Sequence, residues 1–181
     1  MKLWLVRHAQ PLIAPGVCYG ALDMAADAEA TQAAAQGAAA ALPTGVVLQT
    51  SPLQRCQQLA HELCRLRPDL SMQTEPDLAE MNFGSWESQH WDAIPKEAFE
   101  AWRADFGKHL FGGQESVHML LQRVGRVWDQ TRRQGRDAVW VSHAGVIRVA
   151  VLLAQGVRQL DSAAQWPRQA PEFGQWLELK L

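Results

Sequence analysis

The sequence contains little cysteine and no long apolar run, and both scarcities limit where the protein can work. None of the cysteines belongs to a C-x-x-C motif and three cannot all pair within one chain; they are Cys18, Cys56 and Cys64. We therefore expect a reducing compartment and predict a cytoplasmic protein. Only four apolar residues separate Lys2 from Arg7, too few for a signal-peptide core. No run approaches the roughly 20 apolar residues of a transmembrane helix, so we expect no membrane association.

Positive charge is also scarce. The sequence has 17 Lys and Arg residues and 19 Asp and Glu residues, which gives a net charge of −2. No basic stripe is visible, so a nucleic-acid partner is not expected. The segment Gly112-Gly113 lacks the Lys-Ser/Thr of a P-loop, which removes the simplest ATPase hypothesis. No metal site is expected either, because four histidines show neither His-x-His nor His-x-x-x-His spacing: His61, His90, His109 and His118.

Alternating strand and helix patterns predict the fold class. With 181 residues, 48% of them hydrophobic, the chain is predicted to form one domain over residues 1–181. Apolar runs predict strands over 2–6, 45–50, 71–75 and 138–142, and an alternating edge strand over 173–179. Helical spacing predicts helices over 28–42, 51–67, 96–106, 116–133 and 146–155. This order favours an α/β protein with three α/β/α layers and a mainly parallel sheet covered by helices on both faces.

Basic side chains follow three of the predicted strands. Arg7 and His8 end the first, Arg55 lies just after the second, and His143 follows the fourth. Ligands of open α/β sheets bind outside the carboxyl ends of the strands, where these side chains would meet. Each one alone has an ordinary explanation, such as a surface pair, a solvated helix arginine or a hydrogen-bonded histidine. Together they suit a phosphoryl dianion, which predicts a phosphate-handling enzyme.

The same residue types suggest how such an enzyme would react. A neutral histidine can attack phosphorus and form a covalent intermediate, which splits one difficult step into two. Neighbouring arginines disfavour protonation of that histidine and stabilise charge on the transferring group. A metal could supply this stabilisation, but two arginines and a second histidine can replace it.

Five segments, in order over about residues 3–150, together resemble the histidine phosphatase superfamily, which includes the phosphoglycerate mutases. They are Leu5-Val-Arg7-His8-Ala9, Ser51-Pro-Leu-Gln-Arg55, Leu78-Ala-Glu80-Met-Asn-Phe-Gly-Ser-Trp-Glu87, Gln114-Glu-Ser116 and Val141-Ser-His143-Ala-Gly-Val-Ile-Arg148. The resemblance implies a phosphoglycerate mutase-like fold, no cofactor and no metal in the phosphoryl-transfer step.

The resemblance also implies roles for individual residues. His8 is the nucleophile that becomes phosphorylated, while Arg7, Arg55 and His143 hold the phosphoryl group. Glu80 is the acid for the leaving oxygen and then the base for the incoming water. Because Glu87 and Glu115 lie near Glu80 in sequence, they remain alternatives for the acid. Further candidate contacts to the substrate or its phosphate are Gln10, Tyr19, Gly20 and Ala144.

The substrate class follows from finer features of the resemblance. The longer acid-bearing insertion of phosphoglycerate mutases is missing, whereas Gly16-Val-Cys-Tyr-Gly20 and the Phe-Gly-x-Trp-Glu element are similar to α-ribazole phosphatases of cobalamin synthesis. We expect hydrolysis of a small phosphorylated metabolite, with α-ribazole phosphate as a candidate. The alternatives are a broad-specificity sugar phosphatase, a mutase-like phosphotransferase, a phosphohistidine-protein phosphatase and a non-catalytic phosphate- or phosphoprotein-binding module. Four departures from the family pattern bear on substrate range and rate: Ala9, Gln10, Ala14 and the extra Gln114.

Overall fold

The computed structural model describes residues 1–181 and contains one five-stranded sheet. The strands are β1 (Lys2–Arg7), β2 (Val47–Thr50), β3 (Ser71–Thr74), β4 (Ala138–Ser142) and β5 (Trp176–Lys180). Their order is β3-β2-β4-β1-β5; the first four in this order run parallel to one another, and β5 pairs antiparallel with β1. The predicted mainly parallel sheet with a C-terminal edge strand is therefore confirmed.

Five α-helices accompany the sheet, close to the predicted ranges. They are α1 (Ala28–Ala41), α2 (Gln54–Leu66), α3 (Lys96–Ala104), α4 (Val117–Gln134) and α5 (Ala144–Ala154). Side-chain caps begin two of them, because Asp27 accepts from the N–H of Ala30 at 2.8 Å and Ser116 accepts from the N–H of Met119 at 3.2 Å. Gly135 ends α4 in the left-handed conformation, with φ of 66°, which glycine adopts without steric cost. None of the helices is both long and apolar enough to cross a membrane.

Side-chain alternation along the central strands divides the core into two layers. In β1, Leu3 and Leu5 pack with the apolar faces of α4 and α5, whereas Trp4 and Val6 pack with α1 and α2. Strands β1 and β4 are almost fully buried, as expected for a parallel sheet that carries helices on both faces. The predicted three-layer α/β/α architecture is confirmed.

Two predicted starts are three residues too early. Ser51 does not cap α2, which begins at Gln54 after Leu53 with no side-chain cap bond. The Ser51 hydroxyl accepts from the N–H of Leu53 at 3.3 Å and lies 2.7 Å from Nε2 of His143. The last strand begins at Trp176 rather than at residue 173, because Gly174 adopts φ of 73° in a turn just before it. Both deviations occur where the chain passes the carboxyl edge of the sheet.

Candidate active site

The carboxyl ends of β1, β2 and β4 bring the predicted residues together. His8 directly follows β1 and His143 directly follows β4, and Arg7 is paired in register with Ser142. The two imidazole rings are 5.1 Å apart between centroids at an interplanar angle of 60°. Arg55 lies in the first turn of α2, just beyond the end of β2, and its side chain is fully buried. Parallel pairing of these strands therefore explains why residues distant in sequence meet at one place.

His8 is held as a neutral imidazole with a defined tautomer. Its Nδ1 lies 2.7 Å from the carbonyl oxygen of Ala9, and because a carbonyl only accepts, Nδ1 carries the proton. Nε2 consequently keeps its lone pair. Burial, followed by the positive charges of Arg55 and Arg7, lowers the pKa of His8 to about 3. The arrangement has the protonation state that a nitrogen nucleophile requires.

Arg55 is fixed by backbone carbonyls and keeps one donor free. Its Nη1 donates to the carbonyl of Leu22 at 2.9 Å and its Nη2 donates to the carbonyl of Gly20 at 2.7 Å. Its Nε is buried without any hydrogen-bond partner in the protein. The ring of Tyr19 lies 5.4 Å from the guanidinium carbon. A buried cation with an unpartnered N–H is suited to binding an anion.

Arg7 also keeps an unpartnered N–H, but different groups hold its side chain in place. Its Nη1 donates to the carbonyl of Pro171 at 2.9 Å, and its guanidinium carbon lies 3.8 Å from the centroid of the Phe173 ring. Its Nε, like that of Arg55, is buried and unpartnered. Burial is the main cause that lowers the pKa of Arg7. Half-buried Arg7 and fully buried Arg55 thus each retain a buried Nε–H beside His8 for a negatively charged ligand.

His143 is fully buried and oriented by Ser51. Its Nε2 lies 2.7 Å from Oγ of Ser51 and 3.5 Å from Sγ of Cys56. Burial and the charge of Arg55 hold the pKa of His143 well below its ordinary value, so this ring is neutral as well. The second histidine is thereby fixed in place without carrying a charge.

The carboxylate of Glu80 lies at the N-terminus of α5. One oxygen accepts from the N–H of Gly145 at 2.9 Å and the other from the N–H of Met81 at 2.9 Å. Both oxygens thus use backbone N–H groups, one of which is a free N–H of the first turn of α5. Gly145 and Glu80 are in close contact, since a Cβ on Gly145 would overlap Oε1 of Glu80. Glu80 is therefore positioned by α5, the helix that follows His143.

The structure separates Glu80 from the two alternative acids. Glu87 accepts from four backbone N–H groups, those of Gly20, Ala21, Leu22 and Phe83, at 2.7 to 3.0 Å. Glu115 accepts from the N–H of Asn82 and forms a 2.7 Å ion pair with Arg123. Both carboxylates are held by structural contacts, whereas Glu80 lines a cavity beside the site, so Glu80 stays the predicted acid.

The four other predicted substrate contacts do not form one cluster. Half-buried Tyr19 lies against Arg55, and Ala144 supplies the first backbone N–H of α5. Gly20 uses its N–H on Glu87 and its carbonyl on Arg55, so its polar groups support the arginine. Gln10 is exposed, and its side chain makes no hydrogen bond within the protein.

Three contributors were missed from the sequence. Phe173 lies 5.5 Å from the ring of His8, and the carbonyl of His8 accepts from the N–H of Gly174 at 3.1 Å. Arg123 donates to the carbonyls of Asp77, Ala79 and Glu80 at 2.6 to 3.1 Å, which fixes the segment that carries the acid. The third contributor is Ser51, whose hydroxyl contacts His143. Its only sequence signal was its place in the Ser-Pro-Leu-Gln-Arg segment, where it was interpreted as a helix cap.

No group of three or more His, Cys, Asp or Glu side chains lies close enough together to hold a metal ion. Metal-independent turnover remains a prediction that follows from the resemblance.

Comparisons with known proteins identify the family. The model of the histidine phosphatase superfamily (branch 1) matches residues 3–169. The structure of TTHB049 from Thermus thermophilus is 30% identical with a TM-score of 0.73, over 99% of this chain and 93% of that chain. The α-ribazole phosphatase from Shigella flexneri is 25% identical with a TM-score of 0.81, over 100% and 91% of the two chains. A search of curated protein sequences found no match. The predicted family and its phosphoglycerate mutase-like fold are confirmed.

Proposed function

Because the chain belongs to branch 1 of the histidine phosphatase superfamily, we propose that it hydrolyses phosphomonoesters through a phosphohistidine on His8. The observation that carries the proposal is the meeting of a neutral, buried His8 with fully buried Arg55 and half-buried Arg7, each of which keeps a buried, unpartnered Nε–H. The site thus combines a nucleophile with donors for the charge that develops on the phosphoryl oxygens.

In the first step, the lone pair of His8 Nε2 attacks phosphorus and the bond from phosphorus to the ester oxygen breaks. Arg7 and Arg55 stabilise the equatorial oxygens, and neutral His143 contributes a hydrogen bond. Glu80 enters this step protonated, gives its proton to the leaving oxygen, which departs as an alcohol, and is left as the carboxylate. His8 then carries the phosphoryl group on Nε2, while Nδ1–H still donates to the carbonyl of Ala9.

In the second step, water attacks the same phosphorus. The Glu80 carboxylate takes a proton from that water, the bond between nitrogen and phosphorus breaks, and its electron pair returns to Nε2. Inorganic phosphate leaves and both residues regain their starting protonation states. One carboxyl group therefore serves as acid and then as base.

As substrate we propose a small phosphorylated metabolite, with α-ribazole phosphate of cobalamin synthesis as the leading candidate. The Phe-Gly-x-Trp-Glu element and the likeness to the Shigella flexneri α-ribazole phosphatase support this choice. A cytoplasmic location is consistent with the three cysteines, all of which are free thiols.

The test is release of inorganic phosphate, with chelator present, from α-ribazole phosphate, sugar phosphates and phosphoglycerates. Strong preference for α-ribazole phosphate is the expected result. Broad hydrolysis of sugar phosphates would support phosphatase activity but refute α-ribazole phosphate as the preferred substrate. Transfer of the phosphoryl group to phosphoglycerate would indicate a mutase. Binding of phosphate esters with no turnover would refute the proposal in favour of a binding module.

The nucleophile is tested by the substitution His8→Ala. Turnover is expected to fall at least about 10³-fold, because loss of a covalent nucleophile removes the intermediate itself. Phosphate binding should weaken but remain measurable by calorimetry, since Arg7 and Arg55 are unchanged. The control is His61→Ala, which changes an exposed histidine of α2 and should leave turnover at the wild-type rate. Wild-type activity in His8→Ala would disprove the assignment.

A further inference from the structure

A short segment just before β5 lies across the end of β1. Residues 171–175, called here the C-terminal strap, form neither helix nor strand. The backbone N–H of Arg7 donates to the carbonyl of Gln175 at 2.9 Å, and Nη1 of Arg7 donates to the carbonyl of Pro171 at 2.9 Å. These bonds hold both ends of the strap against Arg7.

Between these two bonds, the strap places the Phe173 ring on the guanidinium of Arg7. The guanidinium carbon lies 3.8 Å from the ring centroid, and it is therefore over the face of the ring, since the ring atoms block so close an approach at the edge. The ring is half-buried, and its centroid lies 5.5 Å from that of the His8 ring. Phe173 thus lies beside the predicted nucleophile and covers one of the two arginines.

Arg7 has few other supports. It forms no ion pair, and one backbone carbonyl accepts from its guanidinium, whereas two carbonyls accept from that of Arg55. A carboxylate could also hold Arg7, but it would occupy N–H groups and cancel the positive charge. An aromatic face attracts the cation and leaves its in-plane N–H groups free. The buried, unpartnered Nε–H of Arg7 agrees with this arrangement.

We propose that Phe173 is a positioning residue for phosphoryl transfer, because its ring and the Pro171 carbonyl together fix the direction in which Arg7 presents its free Nε–H. The ring limits the tilt of the guanidinium, and the carbonyl limits its rotation. Arg7 then meets the phosphoryl oxygens without having to order its side chain when the substrate binds. The inference rests on the proposed function for its reaction and gives the C-terminal strap a part in that reaction.

Rates with para-nitrophenyl phosphate test this role, since its leaving group departs without a proton and the rate depends little on the acid. Phe173→Leu keeps an apolar side chain but removes the aromatic face, and kcat/KM should fall about 5- to 30-fold, the range of a partly desolvated cation–π contact. Phe173→Tyr keeps the face and should stay within about 2-fold of the wild type. The control Gln169→Ala changes an exposed residue just before the strap and should keep the wild-type rate. A wild-type rate in Phe173→Leu would overturn the proposal.

A double-mutant cycle shows whether Phe173 acts through Arg7. Arg7→Met removes the cation and keeps a long side chain under the ring. In that background, Phe173→Leu should change kcat/KM by less than about 2-fold, because no guanidinium is left to position. Urea unfolding of each variant confirms that the fold is retained under the assay conditions. An equal loss of kcat/KM from Phe173→Leu with and without the guanidinium would show that the ring acts independently of Arg7 and would refute the proposal.

Measurements without turnover separate this inference from the proposed function. The arginine Nε–H signals can be followed by NMR, and the signal lost in Arg7→Lys belongs to Arg7. This signal should move in Phe173→Leu, where the ring current is lost, and should stay in place in Gln169→Ala. Calorimetry with inorganic phosphate should show a dissociation constant raised about 5- to 30-fold in Phe173→Leu. Both effects without turnover of any ester would keep Phe173 as the support of Arg7 and refute the phosphatase. Turnover with wild-type phosphate affinity in Phe173→Leu would refute the positioning role alone.

Discussion

At the residue scale, Gly145 is constrained by its contact with Glu80. Its N–H donates to one carboxylate oxygen, while the other oxygen fills the space that a Cβ would need. Gly145→Ala should therefore displace the acid and lower turnover of alkyl phosphates about 10- to 100-fold, a sizeable part of what a positioned general acid contributes. Aryl esters with good leaving groups should lose much less, because they depart without a proton. Steady-state rates with both ester types measure the difference.

Gly37→Ala is the matched control for this substitution. Gly37 lies within α1, where an added Cβ meets only the Trp176 ring at ordinary contact distances of 3.7 and 4.0 Å. Rates should stay at the wild-type level, and stability should rise by about 0.5–1 kcal/mol because alanine favours helix over glycine. If Gly145→Ala slowed alkyl and aryl esters equally, the cause would be general disruption of the site rather than displacement of Glu80.

The sequence predicted that four residues would meet at the candidate site, since Arg7 ends a strand, His8 and His143 directly follow strands, and Arg55 lies in the first turn of a helix. It did not distinguish Glu80 from Glu87, because the difference lies in which backbone N–H groups fold against each carboxylate. It also missed Phe173, whose contact with His8 and Arg7 joins opposite ends of the chain. Contacts set by such distant segments leave no local pattern.

At the element scale, Glu87 organises the segment that supports Arg55. The carboxylate accepts from the N–H groups of Gly20, Ala21 and Leu22, and the carbonyls of Gly20 and Leu22 in turn accept from Arg55. Glu87→Gln places an amide NH2 against some of these donors and leaves them unsatisfied. We expect a loss of about 1–3 kcal/mol in the free energy of unfolding and a raised KM for phosphate esters.

Denaturant unfolding and steady-state kinetics test this substitution together. The control Glu97→Gln changes an exposed glutamate in the first turn of α3, and it should alter stability by less than about 0.5 kcal/mol. If Glu87→Gln lowered the free energy of unfolding but left KM unchanged, Glu87 would stabilise the segment without controlling how Arg55 binds phosphate.

Element boundaries were predicted less well where the site imposes its own contacts. Helical periodicity located α1 and α4 to within about one residue, because apolar faces and caps are local signals. The start of α2 was placed too early, since the Ser51 hydroxyl contacts His143 at the end of the neighbouring strand and caps no helical N–H. Local propensity cannot reveal a competing partner that only the tertiary fold supplies.

At the scale of the whole molecule, the order of β-α steps was sufficient to predict a parallel three-layer fold. The physical reason is that parallel neighbours need crossover connections, and helices in those connections cover both faces. The position of β4 between β1 and β2 could not be predicted, because several orders of parallel strands satisfy the same apolar pattern. That position is what places His143 beside His8.

Two buried neutral histidines at the centre of the sheet edge should make the whole fold sensitive to acid. An unfolded histidine titrates near 6.5, whereas burial and nearby arginines lower the pKa of His8 to about 3 and also depress that of His143. Below about pH 6.5 the unfolded chain therefore binds more protons than the folded protein. Stability is fully retained above that pH and falls as the pH decreases towards 3, by up to about 1.4 kcal/mol per pH unit for each histidine.

His8→Asn isolates this contribution because it removes one of the two groups. The difference in unfolding free energy between wild type and variant should be constant from pH 7 to 8 and should shift in favour of the variant as the pH falls from 6.5 to 5. Urea unfolding at each pH measures it, and Gln10→Asn, an exposed and non-titrating neighbour, should show no such shift. Parallel stability curves for wild type and His8→Asn would mean that His8 is protonated as readily in the fold as in the unfolded chain. A His8 protonated in that way near neutral pH would lack the free Nε2 lone pair that attack on phosphorus requires.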